Sequence, residues 1–349
     1  MKPLALADLL GVDIPIVQAP MAGVQASALA IAVSNAGGLG SLPCALLPPD
    51  TLHDELVAIR AGTTRPYNVN FFCHTPPAPD LARESAWRAR LTPYYRELGL
   101  DPNEIPDSPT RSPFSDQAAD IVEGFRPPVV SFHFGLPSPE LLARVRAWGS
   151  KILACATTVD EALWLEARGV DAIIAQGLEA GGHRGNFLTA DMTTQLATFA
   201  LVPQVVAAVR VPVIATGGVA DARGVAAALR LGAAGVQLGT SYLLCPEVTI
   251  SPAYRAALRG PDARHTALTN LVSGRPARGI VNRMMRELGP MSDLPPAFPL
   301  ATPALAPLRA AAEARGMGDF SPLWAGQNAS GCQEIPAAEL TRELAADLE

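Results

Sequence analysis

The 349-residue sequence predicts an α/β fold, a closed (β/α)8 barrel of the TIM type with an insertion after its third strand and a C-terminal extension. Eight short apolar runs end in glycine or small polar residues, and most lead into an alanine- and leucine-rich stretch of helical pattern. Eight such alternations favour a closed barrel over an open doubly wound sheet. The rhythm is interrupted once, at residues 75 to 116, and it stops near residue 260, which sets the limits of insertion and extension.

In chain order, the strands are expected at Ile14 to Ala19, Gly38 to Leu42, Tyr67 to Phe72, Val129 to Phe134, Lys151 to Ala156, Ala172 to Gln176, Val211 to Ala215 and Gly235 to Gly239. Most are short and β-branched, as strands covered on both faces of a parallel sheet must be. Helices are expected at Ser27 to Asn35, Thr51 to Ala61, Pro139 to Trp148, Val159 to Arg168, Val202 to Val209 and Asp221 to Leu231. Several open on a cap-forming Ser, Thr or Asp and close near glycine. The cluster Gly37-Gly38-Leu39-Gly40 follows a helix, so it stops that helix and is not a dinucleotide fingerprint.

The proline-dense insertion 75 to 116 holds one expected helix, Asp80 to Leu98, and is placed to wall the barrel mouth. Beyond residue 260 come a proline-rich stretch (Leu294 to Pro307), a glycine-containing loop around Trp324 to Asn328, and an amphipathic helix with Leu340, Leu344 and Leu348 on one face. The expected division is a barrel with its insertion over 1–260 and a subdomain packed on it over 261–349.

Composition narrows the function classes. With 49% hydrophobic and 17% charged residues the chain suits a soluble protein with a large core. A net charge of -6 and the lack of a Lys/Arg block argue against a nucleic-acid partner. The apolar start, Met1 to Asp8, is broken by aspartate too early for a signal peptide, and no run is long enough to span a bilayer, so no membrane partner is expected. Cys44, Cys73, Cys155, Cys245 and Cys332 lack CxxC spacing and fit reduced thiols of a cytoplasmic protein. A homo-oligomer is left open.

Chemistry belongs at the carboxyl ends of barrel strands. Thr216-Gly217-Gly218 follows the seventh expected strand, with Asp221 able to cap the next helix, and Gln237-Leu238-Gly239-Thr240 ends the eighth. Together these two turns offer backbone N–H groups to an anion in the usual phosphate position, which suits a mononucleotide. After the sixth strand comes Ala175 to Gly185, with His183 bracketed by Gly181, Gly182 and Gly185. Small neighbours would let a planar ligand approach the imidazole. His74 and His133 end the third and fourth strands, His74 reading as structural and His133 as an open case, whereas His53 and His265 look like ordinary helix or loop positions. The amides of Asn70 and Gln176 can donate and accept, which suits the edge of a flavin ring. Met21 lies either in the core or against a cofactor face. Glu179 and Arg184 are expected to pair with each other or with solvent.

These residues carry a resemblance. Gln18 to Gly23, Asn70-Phe71-Phe72, Ser131 to Gly135, Ala175 to Gly185, Thr216-Gly217-Gly218, Gln237 to Thr240 and Leu323 to Gln327 make the chain similar to the bacterial class I nitronate monooxygenases, formerly 2-nitropropane dioxygenases. The resemblance implies an FMN-dependent oxidation of alkyl nitronates, propionate 3-nitronate in particular, by O2 to a carbonyl compound and nitrite. It implies His183 as catalytic, and His133, at the end of the fourth strand, is the second catalytic candidate on its position alone. It implies Asn70, Gln176, Gly181, Gly218, Gln237, Leu238, Gly239 and Thr240 as FMN-binding; Met21, Gly182 and Gly217, from the reading of the turns above, complete the expected cofactor set. No metal is expected. An imidazolium at His183 would hold the substrate anion. Phe298, Leu300 and Leu305 stand in the C-terminal stretch where the family often carries tyrosines facing the substrate. The alternatives are an NAD(P)H-dependent flavin reductase of quinone or enoyl-thioester type, or a non-redox lyase or isomerase binding only a substrate phosphate.

Overall fold

The computed structural model describes residues 6–105 and 111–348; residues 1–5 of the N-terminal reading, 106–110 of the insertion and 349 lie outside the described residues. Eight parallel strands form the barrel: β1 (Ile16–Gln18), β2 (Gly40–Pro43), β3 (Tyr67–Phe72), β4 (Val129–His133), β5 (Lys151–Ala156), β6 (Ala172–Gln176), and, after a short β7 (Gly182–His183) outside it, β8 (Val213–Thr216) and β9 (Gly235–Leu238). Their order is β1-β9-β8-β6-β5-β4-β3-β2. The remaining seam closes through a parallel bridge between Val17 and Leu39, where Gln18 N donates to Leu39 O at 2.9 Å and Leu39 N to Ile16 O at 2.8 Å. This is the TIM-barrel topology expected. Three of the strands coincide with the residues read from sequence and the others differ by at most two residues at an end.

The helices α1 (Leu6–Leu10), α2 (Ser27–Asn35), α3 (Pro49–Gly62), α4 (Leu81–Leu98), α5 (Asp116–Glu123), α6 (Pro139–Ala147), α7 (Val159–Glu166), α8 (Thr198–Ala208) and α9 (Ala222–Arg230) follow the chain through the barrel. Local caps start several of them: Ser115, Ser138, Thr158 and Asp221 each accept a backbone N–H from the first turn. Each such cap is worth about 1 kcal/mol. α8 begins four residues earlier than expected because its cap is not local. The carboxylate of Glu179, far away in sequence, accepts the Thr198 N–H at 2.8 Å. Gly40 shows why the Gly37–Gly40 cluster is small: a side chain there would come within 1.9 Å of the Ala30 carbonyl oxygen of α2.

The extension holds α10 (Pro252–Arg259), β10 (Thr266–Thr269), β11 (Ala277–Ile280), α11 (Arg283–Leu288), α12 (Ala306–Glu313) and α13 (Ala337–Leu344). Strand structure therefore continues past residue 260, against expectation, as an antiparallel sheet β10-β11-β7 outside the barrel. The final helix has Leu340 and Leu344 buried in the barrel's core cluster; Leu348 lies beyond its end but packs on the same cluster.

A second apolar cluster joins the insertion to the extension. Trp87, Leu91, Tyr94, Tyr95 and Leu98 of α4 pack on Leu271, Met284, Met285, Leu305, Leu308 and Phe320. Trp87 Nε1 donates to Ala301 O at 3.3 Å and the Tyr95 hydroxyl to Ala304 O at 2.8 Å, so the buried polar atoms of these aromatic rings are satisfied. All five cysteines are free thiols, three buried and two half-buried. Among the described residues no helix is long and apolar enough to cross a membrane.

Candidate active site

A cleft opens at the carboxyl ends of the strands, with about 1320 Å³ of atom-free space including its mouth. Every residue expected at the site lines it: His133, His183, Met21, Asn70, Gln176, Gly181, Gly182, Gly217, Gly218, Gln237, Leu238, Gly239 and Thr240. The extension adds Trp324, Gly326 and Asn328, and the insertion adds Arg111.

The turns after β8 and β9 are built for backbone contact. Gly217 and Gly218 have φ of +115° and +75°, and a side chain on Gly217 would meet Thr198 Oγ1 at 2.8 Å. Among the described residues, the N–H groups of Gly217, Gly218 and Gly239 find no acceptor within the chain. Gln237 contributes a buried Oε1 that also has no partner. Unsatisfied buried acceptors are expensive, so this one calls for a donor from a ligand or water.

The histidine turn is more rigid than its glycine content suggests. Gly182 and His183 form β7, paired with Arg278 and Ala277 of β11. The His183 carbonyl accepts from Gln176 Nε2 at 3.1 Å and lies 3.3 Å from His133 Nε2, and Gln176 Oε1 accepts the Gly185 N–H at 2.8 Å. The Gln176 amide thus spans the turn. Asn70 Nδ2 is likewise held, donating to Ser131 Oγ at 2.9 Å.

The bracketing glycines do different jobs. A side chain on Gly181 would strike the Gly326 backbone at 2.6 Å, and one on Gly185 would strike Cys155 Sγ at 2.5 Å and His133 Cε1 at 2.9 Å. Only Gly182, at φ +71°, has open space beside it. Two of the three glycines therefore serve protein packing, and one leaves room for a ligand.

Arg184 and Glu179 do not pair with each other, contrary to expectation, and Arg184 does not face solvent. Arg184 is fully buried and donates to the carbonyls of Gly177 (2.6 Å) and Gln176 (2.8 Å) and to Gln195 Oε1. Glu179 is occupied by Thr198. Both stitch the loop between β6 and β7 to the barrel. Glu161 ties down the chain that follows β7: its fully buried carboxylate accepts from Thr157 N and Phe187 N at 2.7 and 2.6 Å.

Electrostatics oppose the expected imidazolium. Burial is the largest cause pushing the His183 imidazole well below its usual range, followed by the positive charges of Arg111 and then of His133, Arg275 and His74 if protonated. His183 is therefore neutral at neutral pH. His133 is pushed down to about 3, by burial first and Arg275 second, so its Nε2 serves as an N–H donor to the His183 carbonyl. His74 is pushed down to about 4, again mainly by burial. It is not part of the cleft lining, and its ring packs edge-on to Phe298 with centroids 4.8 Å apart.

Sequence reasoning missed Ser273, whose Oγ lies 2.8 Å from His183 Nε2, and Arg111. Ser273 carries no local signal. Arg111 does: it is the lone basic residue between Arg96 and Arg126. Of the C-terminal trio, Phe298 reaches the site, stacking edge-on to His183 at 5.3 Å and to Phe134 at 5.4 Å. Leu305 lies instead in the second core. Among the described residues no cluster of His, Cys, Asp and Glu could hold a metal ion.

The chain matches the model of the family described as nitronate monooxygenase over residues 4–347. It is 45% identical to a nitronate monooxygenase of Pseudomonas aeruginosa, covering 97% of each chain. It is also 45% identical to one of Paraburkholderia phytofirmans, covering 99% of this chain and 94% of the relative. Among solved structures it superposes on nitroalkane oxidase from Streptomyces ansochromogenes with a TM-score of 0.89, at 39% identity over 99% and 98% of the two chains. FabK from Thermotoga maritima superposes at 0.71 and 26% identity, over 99% and 96%.

Proposed function

The chain belongs to the nitronate monooxygenase family, and on that premise we propose that it is an FMN-dependent oxidoreductase converting alkyl nitronates and O2 to a carbonyl compound and nitrite. Propionate 3-nitronate is the proposed principal substrate. The observation that carries the reading is the meeting, in one cleft, of positive-φ glycine turns after β8 and β9 with a clamped His183.

The residues present fit FMN. Gly217, Gly218, Gly239 and Thr240 would hold its phosphate through backbone N–H groups, and the orphaned Gln237 Oε1 would take an N–H from the ring. Leu238, Met21, Gly181, Gly182, Asn70 and Gln176 would form the rest of the cradle. FMN, when bound, supplies the redox capacity, accepting electrons from the nitronate and passing them to O2.

The chain's own residues place the substrate. His183, neutral and fixed through its backbone by Gln176, His133 and β11, offers one ring nitrogen to Ser273 and is left with the other for the substrate. Its role is to hold a nitronate by hydrogen bond and to move a proton at that nitrogen. His133 is better read as a positioning residue, because its Nε2 is spent on the His183 carbonyl. The aromatic wall of Phe72, Phe134, Phe298 and Trp324 excludes water around the imidazole. Residues 261–349 are read as an extension completing the cleft of the 1–260 barrel, since Trp324, Gly326 and Asn328 line it.

The test is spectroscopic and then kinetic. The purified protein, supplied with FMN, is expected to show a bound flavin spectrum and to consume O2 when ethyl nitronate or propionate 3-nitronate is added. A protein that stays colourless after FMN addition contradicts the cofactor, and a flavoprotein without nitronate-dependent O2 uptake contradicts the reaction.

A further inference from the structure

Among the described residues that line the cleft, one side chain has a permanent charge, and it comes from neither the barrel nor the histidine turn. Arg111 stands at the end of the insertion. Its Nη1 donates to Thr302 Oγ1 at 2.9 Å, and that hydroxyl in turn donates to Val272 O at 3.1 Å, which fixes the oxygen as an acceptor for the guanidinium. The guanidinium carbon lies 5.8 Å from the centre of the Phe298 ring, whose own centroid is 5.3 Å from that of His183. Arg111 is thus anchored by the extension within one aromatic ring of the histidine.

Its charge persists there. Burial lowers it to about 10, with Arg309 adding to the effect, so it remains protonated at neutral pH. Among the described residues no carboxylate lines the cleft. The other nearby guanidinium, Arg275, does not line it: it lies 4.1 Å over Phe134 and donates to the Asn186 carbonyl. With His183 and His133 neutral, Arg111 is the source of positive charge directly available to a ligand. A guanidinium presents five N–H donors in a planar fork that suits a flat oxyanion such as a nitronate or carboxylate.

We propose that Arg111 is a specificity-determining residue of this cleft, its guanidinium receiving the negative charge of the substrate. The assignment rests on the nitronate reading of the site and identifies which residue selects the anion. The insertion then contributes recognition, and Thr302 of the extension aims it.

The experiment compares wild type, Arg111→Met and Arg111→Lys as FMN-loaded full chains. O2 uptake with ethyl nitronate is measured alongside calorimetric titration with nitrate, a flat non-reacting oxyanion. Arg111→Met is expected to raise KM about 10-fold or more, the range for losing a charged hydrogen bond, with the larger share of the loss in KM and not kcat. Nitrate affinity should fall in parallel, and Arg111→Lys should recover most of both. Wild-type KM and nitrate affinity in Arg111→Met would overturn the proposal, as would a Lys variant as impaired as the Met one, which would place the effect in packing. If wild type bound nitrate through Arg111 yet turned over no nitronate, the anion assignment would stand and the nitronate reading would fall.

Discussion

Where β8 and β9 end, the cleft presents backbone: Gly217, Gly218 and Gly239 offer N–H groups, and positive φ at the first two keeps side chains out of the way. Around β7 it presents side chains: His183 and Arg111 line it, and Ser273 and Phe298, buried, pack against the imidazole, all from separate stretches of chain. The first region consists of two short turns, each of which follows from local conformation. The second exists only because the extension folds back, β11 pairing with β7 and Ser273 reaching the imidazole. A backbone-built region should govern cofactor retention, and a side-chain-built one should govern turnover.

Substitutions in the two regions should separate those effects. The largest is expected from His183→Asn, which should lower nitronate turnover by about 100-fold or more while leaving bound FMN in place. Loss of FMN together with turnover, measured by flavin content, would break the separation. Gly217→Ala tests the opposite region. A methyl group there meets Thr198 Oγ1 and must adopt φ of +115°, a strain of about 1–3 kcal/mol, so FMN should bind about tenfold more weakly or worse in a fluorescence titration. Wild-type FMN affinity in that variant would remove the glycine turn from the cofactor site.

A smaller effect concerns pH. His74, His133 and His183 all have folded-state values depressed by burial, two of them to about 4 and about 3. The unfolded chain titrates its histidines near about 6.5, so below that pH it binds protons that the folded protein refuses. Their contribution to stability is complete above about pH 6.5 and is lost as pH falls from there toward 4. The thermal midpoint of the apoprotein should decline over that window, and His133→Asn should flatten the decline. A midpoint independent of pH between 6.5 and 4 would show that these rings are not buried neutral.

The contrast also explains what the sequence made legible. The barrel strands announce themselves because each is a short apolar run closed by a small residue, as in Ala172–Gln176 before Gly177. The glycine turns after β8 and β9 are readable for the same local reason. β7 has two residues and no pattern of its own, and β10 and β11 (TALT and ARGI) lack the alternation that marks an antiparallel strand. The depression of the His183 imidazole has no local signal, because burial, its main cause, comes from residues remote in sequence. Arg184 and Glu179 misled for a related reason. Polar residues in a loop look solvated until the loop proves to be sewn down by Gln195 and Thr198.

The central claim is that His183 and the glycine turns cooperate in a single nitronate-oxidising site. Rapid mixing of the FMN-loaded protein with ethyl nitronate in the absence of O2, followed by flavin absorbance, tests it most directly, with NADH as the parallel reductant. The account predicts that the nitronate bleaches the flavin of wild type within the turnover time, that it bleaches His183→Asn about 100-fold more slowly or worse, and that NADH bleaches neither at a comparable rate. Rapid bleaching by NADH with none by the nitronate would contradict it and make the protein a flavin reductase.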